Sequence, residues 1–130
     1  MADAVNIKTV FNGGRRLVVR LTNVSDGTGE AAVIKVDKST FTGPDGTEPT
    51  SFVVEKIEYD ILGMQVQLHW DHTTPDIIAV ISGAGYLDWV AAGGLVDPLS
   101  AGGTGDIELT TVGHTAGDSY TITLWLRKKD

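Results

Sequence analysis

Residues 52–70, FVVEKIEYDILGMQVQLHW, decide the fold. From Ile57 onward, apolar Ile57, Tyr59 and Ile61 alternate with charged Glu58 and Asp60. Past Gly63, Met64, Val66, Leu68 and Trp70 alternate with Gln65, Gln67 and His69. A period of two sends one set to a core and the other to solvent, whereas a helix would mix the two sets around its circumference. The stretch therefore reads as two half-buried strands joined at Leu62-Gly63 by a hairpin or a glycine-marked bend. It is also the segment richest in large side chains, so it should supply much of the core.

Similar patterns lie on both sides. Residues 5–11 (VNIKTVF) and 16–23 (RLVVRLTN) flank Asn12-Gly13-Gly14, a sequence suited to positive φ, and read as a first hairpin. Residues 25–29 (SDGTG) are a loop signal, 31–37 a short strand, and 38–50, with two prolines and two glycines, a surface loop. Residues 71–76 form a turn. Residues 77–81 (IIAVI) are apolar on both faces, which fits either a central strand or a strand with one face against another subunit. Residues 82–106 are glycine-rich yet carry Tyr86, Leu87, Trp89, Leu95 and Leu99, so they read as an ordered excursion with a brief strand near 86–89. Residues 107–112 and 120–127 close the domain as another hairpin, with Trp125 facing outward among threonines and a solvated tail from 127 to 130. About eight antiparallel strands and no helix predict one all-β domain over residues 1–130. A β-sandwich or jelly roll fits that count, and a small β-barrel is the alternative.

Bulk properties narrow the function. The chain has 130 residues, enough for one core, with 42% hydrophobic and 21% charged residues. It has no cysteine, which excludes disulfides and thiolate metal sites. A net charge of −7 disfavours nucleic-acid phosphate and anionic lipid as partners. No apolar run has membrane-spanning length, and residues 1–10 lack the basic and apolar regions of a signal peptide, so synthesis in a cytoplasm is expected.

Candidate chemistry is sparse. His69, Asp71 and His72 carry metal-ligating side chains at a spacing that matches no zinc motif, and they read as a polar strand end. His114, Asp106 and Asp118 could be drawn as an acid–base cluster, but no nucleophile accompanies them, and turn capping explains them. Asp26-Gly27-Thr28-Gly29 and residues 102–106 resemble fragments of phosphate loops but lead into strands, where no helix N-terminus awaits an anion. The reading is therefore non-enzymatic, with no catalytic residues, metal or cofactor. Tyr86, Leu87, Trp89, Leu95, Leu99 and Trp125 are the candidate protein-interface residues, because aromatic side chains anchor interfaces. Exposed aromatics also serve carbohydrate binding, which is the competing class.

Three stretches, TNVSDGTGE (22–30), EKIEYDILGMQVQLHWD (55–71) and GDIELTTVGHTAGDSYTITLWLRK (105–128), resemble small virion structural proteins of tailed bacteriophages. The resemblance implies a head decoration, or cement, protein that binds the capsid exterior and bridges subunits of the major capsid protein. A tail or adaptor component is the alternative within virions. It further implies a homo-oligomer, with a trimer favoured, made in the bacterial cytoplasm and located on the virion. The expected trimer contact is the 82–106 excursion together with the outward face of the last strand.

Overall fold

A computed structural model describes residues 4–72, 76–97 and 103–129. Their strands are β1 (Ala4–Asn12), β2 (Arg16–Val24), β3 (Val33–Val36), β4 (Ser51–Leu62) and β5 (Gln65–Trp70), then β6 (Asp76–Ile81), β7 (Ala84–Asp88), β8 (Leu95–Val96), β9 (Ile107–Val112) and β10 (Ser119–Lys129). The only helical turns among the described residues are two 3-10 turns, Lys38–Thr40 and Val90–Ala92. One sheet runs β1-β2-β10-β4-β7, with β8 continuing along the β4 edge beyond β7. The other runs β3-β9-β5-β6, and neighbouring strands in both are antiparallel.

This is an all-β, two-sheet architecture, as the alternation predicts. The ten strands exceed the expected eight; in the glycine-rich excursion β7 matches the brief strand expected near 86–89, and β8 is additional. Each sheet turns one face inward. Leu17, Val19 and Leu21 of β2, Ile57 of β4 and Ile122, Leu124 and Leu126 of β10 meet Val66 and Leu68 of β5 and Ile107 and Leu109 of β9. Each of these is 1% exposed or less.

Of the two readings for residues 52–70, the glycine-marked bend holds and the hairpin does not: β4 and β5 belong to different sheets, and Gly63, at φ +82°, is the bend that carries the chain between them. Two other expectations need correction. The last two strands are not a hairpin either. β9 lies between β3 and β5, while β10 lies between β2 and β4. The tail is not a solvated end, because Lys128 is only 3% exposed. The doubly apolar β6 is an edge strand: Ile81 packs inward, while Ile77 and Val80 remain half exposed.

Local features fix the first half of β4. Its register with β10 shifts between Trp125 and Leu126, so Glu55 is an extra residue in a bulge. Gly94 comes so close that an added Cβ would lie 2.4 Å from Val53 Cγ1, which places the loop between β7 and β8 against this part of the strand. Phe52 is fully buried and meets Phe41 edge to face, with ring centroids 6.0 Å apart.

Replacing Phe52 by Ala should destabilise the fold by about 3–5 kcal/mol, the usual cost of removing a buried aromatic side chain. Urea denaturation of the variant checks this, and a loss well under 1 kcal/mol would mean that Phe52 is not part of the core.

Candidate functional site

Most of the buried ionisable groups are used structurally. Glu55, in its bulge, takes both Arg16 and Arg127, and Arg127 also donates to Gly93 O at 3.3 Å. Glu30 collects Lys35, Asn23 Nδ2 at 2.9 Å and Tyr120 Oη at 2.5 Å. Lys128 Nζ donates to Asn12 Oδ1 at 2.5 Å, Gly13 O at 2.6 Å and Thr42 O at 2.8 Å, and faces the Phe41 ring at 5.9 Å. No carboxylate is among these partners, and burial pushes the Lys128 ammonium below the usual lysine range. The signal for this lysine lies in the sequence: position 128 continues the inward alternation of Tyr120, Ile122, Leu124 and Leu126.

The His69, Asp71 and His72 stretch divides into two separate pairs. His69 Nδ1 lies 2.8 Å from Glu108 Oε1, and its Nε2 lies 3.0 Å from Thr110 Oγ1. Burial pushes the Glu108 carboxyl above its ordinary value; His69 pulls it back and Asp71 adds to the push. His72 Nε2 instead meets buried Asp97 Oδ1 at 2.6 Å. Among the described residues, no three His, Asp or Glu side chains are grouped to hold a metal ion.

The other sequence clusters are also dispersed. Asp106 accepts from the Lys38 N–H, Asp118 accepts from the N–H and hydroxyl of Thr115, and His114 contacts Thr111 and Thr28 O. Asp26 accepts from the Thr28 N–H, so that loop is a turn closed on itself. Gly29 approaches the His114 ring so closely that an added Cβ would lie 2.1 Å from Nε2.

The candidate interface residues separate into two groups. Leu87, Trp89 and Leu95 pack back onto the core of their own domain. Tyr86 and Trp125 lie on the outer face of the six-stranded sheet, where Lys56 sits 5.3 Å from the Tyr86 ring centroid and 5.0 Å from that of Trp125. Leu99 lies outside the described residues. Beside the aromatic pair is a shallow depression of about 400 Å³ lined by Glu58, Tyr59, Asp60, Gly85, Tyr86, Thr121 and Thr123. Gly85 leaves room there, because an added Cβ would lie 3.1 Å from Tyr59 Oη. Sequence reasoning singled out Tyr86 and Trp125 but missed Lys56, Glu58 and Asp60. Only the strand register brings these beside the aromatics.

No protein-family description and no curated protein matches the chain. Among solved structures, one titled "Crystal Structure of FeII HppE" aligns over 94% of this chain and 56% of its own, at 7% identity and a TM-score of 0.34. The chain thus spans little more than half the length of that structure, and a likeness this low carries no functional argument.

Lys128→Met should destabilise the fold by about 1–3 kcal/mol, because three oxygens lose their donor, and thermal or urea unfolding reads this directly. For Glu108, the folded state binds the proton more tightly than the unfolded chain, whose carboxyl titrates near 4.5. The stability this gives is therefore complete below that value and is lost as pH rises through the folded pKa. Stability relative to Glu108→Gln should accordingly be greater near pH 4 than near neutrality, and paired denaturation curves at the two pH values test the sign.

Proposed function

We propose that this protein is a non-enzymatic virion structural protein, a capsid decoration protein of a tailed bacteriophage. It binds the outside of the head and bridges major capsid subunits. The observation that carries this reading is the division of the polar residues. The described buried ionisable groups are engaged in internal contacts, while Tyr86 and Trp125 share one broad sheet face with Lys8, Arg20, Glu58 and Asp60. Such a face suits protein contact, and aromatic anchors of this kind concentrate binding energy. The phage-like stretches at 22–30, 55–71 and 105–128 supply the virion context. Repeated over a symmetric shell, individually weak contacts gain strength by avidity.

A carbohydrate-binding module is the second reading. It is favoured by one observation: Tyr86, two carboxylates and two threonine hydroxyls line the same depression. A glycan array separates it from the virion reading.

Particles lacking this protein should assemble but lose contents at lower temperature or osmotic stress. Purified protein added back should label the head exterior in electron micrographs. Labelling of the tail alone would favour the adaptor role, and no labelling would remove the virion reading. Trp125→Ala should weaken binding to such particles by about 2 kcal/mol, the size of an interface hot spot.

A further inference from the structure

The outer face of the six-stranded sheet has an ordered charge pattern. Across the middle of the sheet the register sets Lys8 beside Arg20, Arg20 beside Thr123, Thr123 beside Glu58, and Glu58 beside Tyr86. Directly opposite residues of antiparallel strands share a face, so these five side chains form one row. Arg20, Glu58 and Tyr86 are exposed, and Thr123 is half-buried. The next row runs Asn6, Thr22, Thr121, Asp60 and Ala84. The β1–β2 half of the central row is therefore cationic and the β4 half anionic, with β10 neutral between them.

The two halves do not neutralise each other within one subunit. Arg20 and Glu58 are two strand spacings apart, about 10 Å, with Thr123 between them. That exceeds the screening length of about 8 Å at physiological salt. Among the described residues, none of Lys8, Arg20, Glu58 and Asp60 forms an ion pair.

We propose that a second copy of this chain docks on this face, related by a two-fold axis running along β10. Rotation about that axis preserves position along the strands and exchanges the two halves. Arg20 of one copy then meets Glu58 of the other, twice, and Lys8 meets the Tyr86 ring. Thr22 meets Asp60, and Trp125, near the axis, meets its own counterpart. The charge pattern also selects the axis. A dyad running across the strands would set Arg20 against Arg20 and Glu58 against Glu58, which repel.

The face is large enough for this contact. β1 and β2 run about 30 Å, the uncovered parts of β10 and β4 about 24 Å and the five-residue β7 about 17 Å, so at about 4.8 Å spacing the open face is about 600 Å², below the roughly 800 Å² per partner of a standard interface but enough for a weak dimer. Two twisted sheets packed face to face lie about 10 Å apart. An arginine and a glutamate reaching toward each other span that gap. The face is polar rather than apolar, so the dimer is salt-sensitive and its strength lies in complementarity.

The dimer occupies the face that the virion reading gives to the capsid, so it is the form of the free protein and opens when that face meets the shell. Sedimentation of the purified protein tests it without any particle, so its outcome is separate from that of the virion reading. The protein should dimerise at high micromolar concentration and dissociate as salt is raised. Arg20→Glu alone and Glu58→Arg alone should each weaken the dimer by about tenfold or more, because like charges then face each other across the dyad. An equimolar mixture of the two variants should restore dimers, since every facing pair becomes opposite in sign again. Two misfolded chains would not rescue each other. If either reversal loses its β-sheet circular dichroism, Arg20→Gln and Glu58→Gln replace the pair, and each should weaken association. A monomeric parent, a trimer, single variants that dimerise normally, or folded variants that fail to rescue each other would each overturn the proposal.

Discussion

The chain crosses between the two sheets six times, and two of these crossings are packed against each other. Gly63 carries β4 into β5, and the loop at residues 113–118 carries β9 into β10. A Cβ on Gly63 would lie 2.2 Å from Asp118 Oδ1. Asp118 holds the Thr115 N–H with its carboxylate and receives the Ser25 N–H on its carbonyl oxygen. One crossing is thus packed against the other, and the loop after β2 is tied to the same point. Any side chain at position 63 would have to displace a carboxylate that organises the second crossing, and it would do so from a backbone with φ +82°, a conformation that disfavours L residues.

Around this core the domain keeps unusual polar company. Glu55, Lys35, His69, Glu108, His72, Asp97 and Lys128 are all buried, none more than 6% exposed. A buried ion pair rarely adds net stability over an apolar pair of similar volume, but losing one partner is costly because the other charge stays behind. These contacts therefore act as constraints on geometry. Glu55 ties β2, β4 and β10 together through Arg16 and Arg127. Glu30 ties the loop after β2 to β3 and β10 through Lys35 and Tyr120.

The all-β class was legible because period-two alternation is a local property, clear in residues 57–70 and 120–126. Pairing was not legible. Whether β9 pairs with β10 or each joins a separate sheet depends on residues nearly 100 positions away, and both arrangements leave the same alternation. The site was legible in part. Tyr86 and Trp125 stood out as large aromatics among small or polar neighbours. Their association with Lys56 depends on β10 and β7 lying on opposite sides of β4, which no local pattern encodes. Leu87, Trp89 and Leu95 show the converse: apolar residues in a glycine-rich segment can serve their own core as readily as a partner. Lys128 was hidden by its charge, although its parity along the strand placed it inside.

The position of β10 has a consequence for synthesis of the protein. This strand lies between β2 and β4, so the larger sheet lacks its middle until residues Ser119–Lys129 are available. As the polypeptide leaves the ribosome, the β1–β2 hairpin and β4 are already present but cannot join. Their neighbouring edges wait for residues Ser119–Lys129. Non-local pairing of this kind slows folding, because loop closure precedes its compensating contacts. The larger sheet therefore cannot close before β10 emerges, and nascent chains stalled before β10 would carry two unpaired strand edges open to chaperones or to one another.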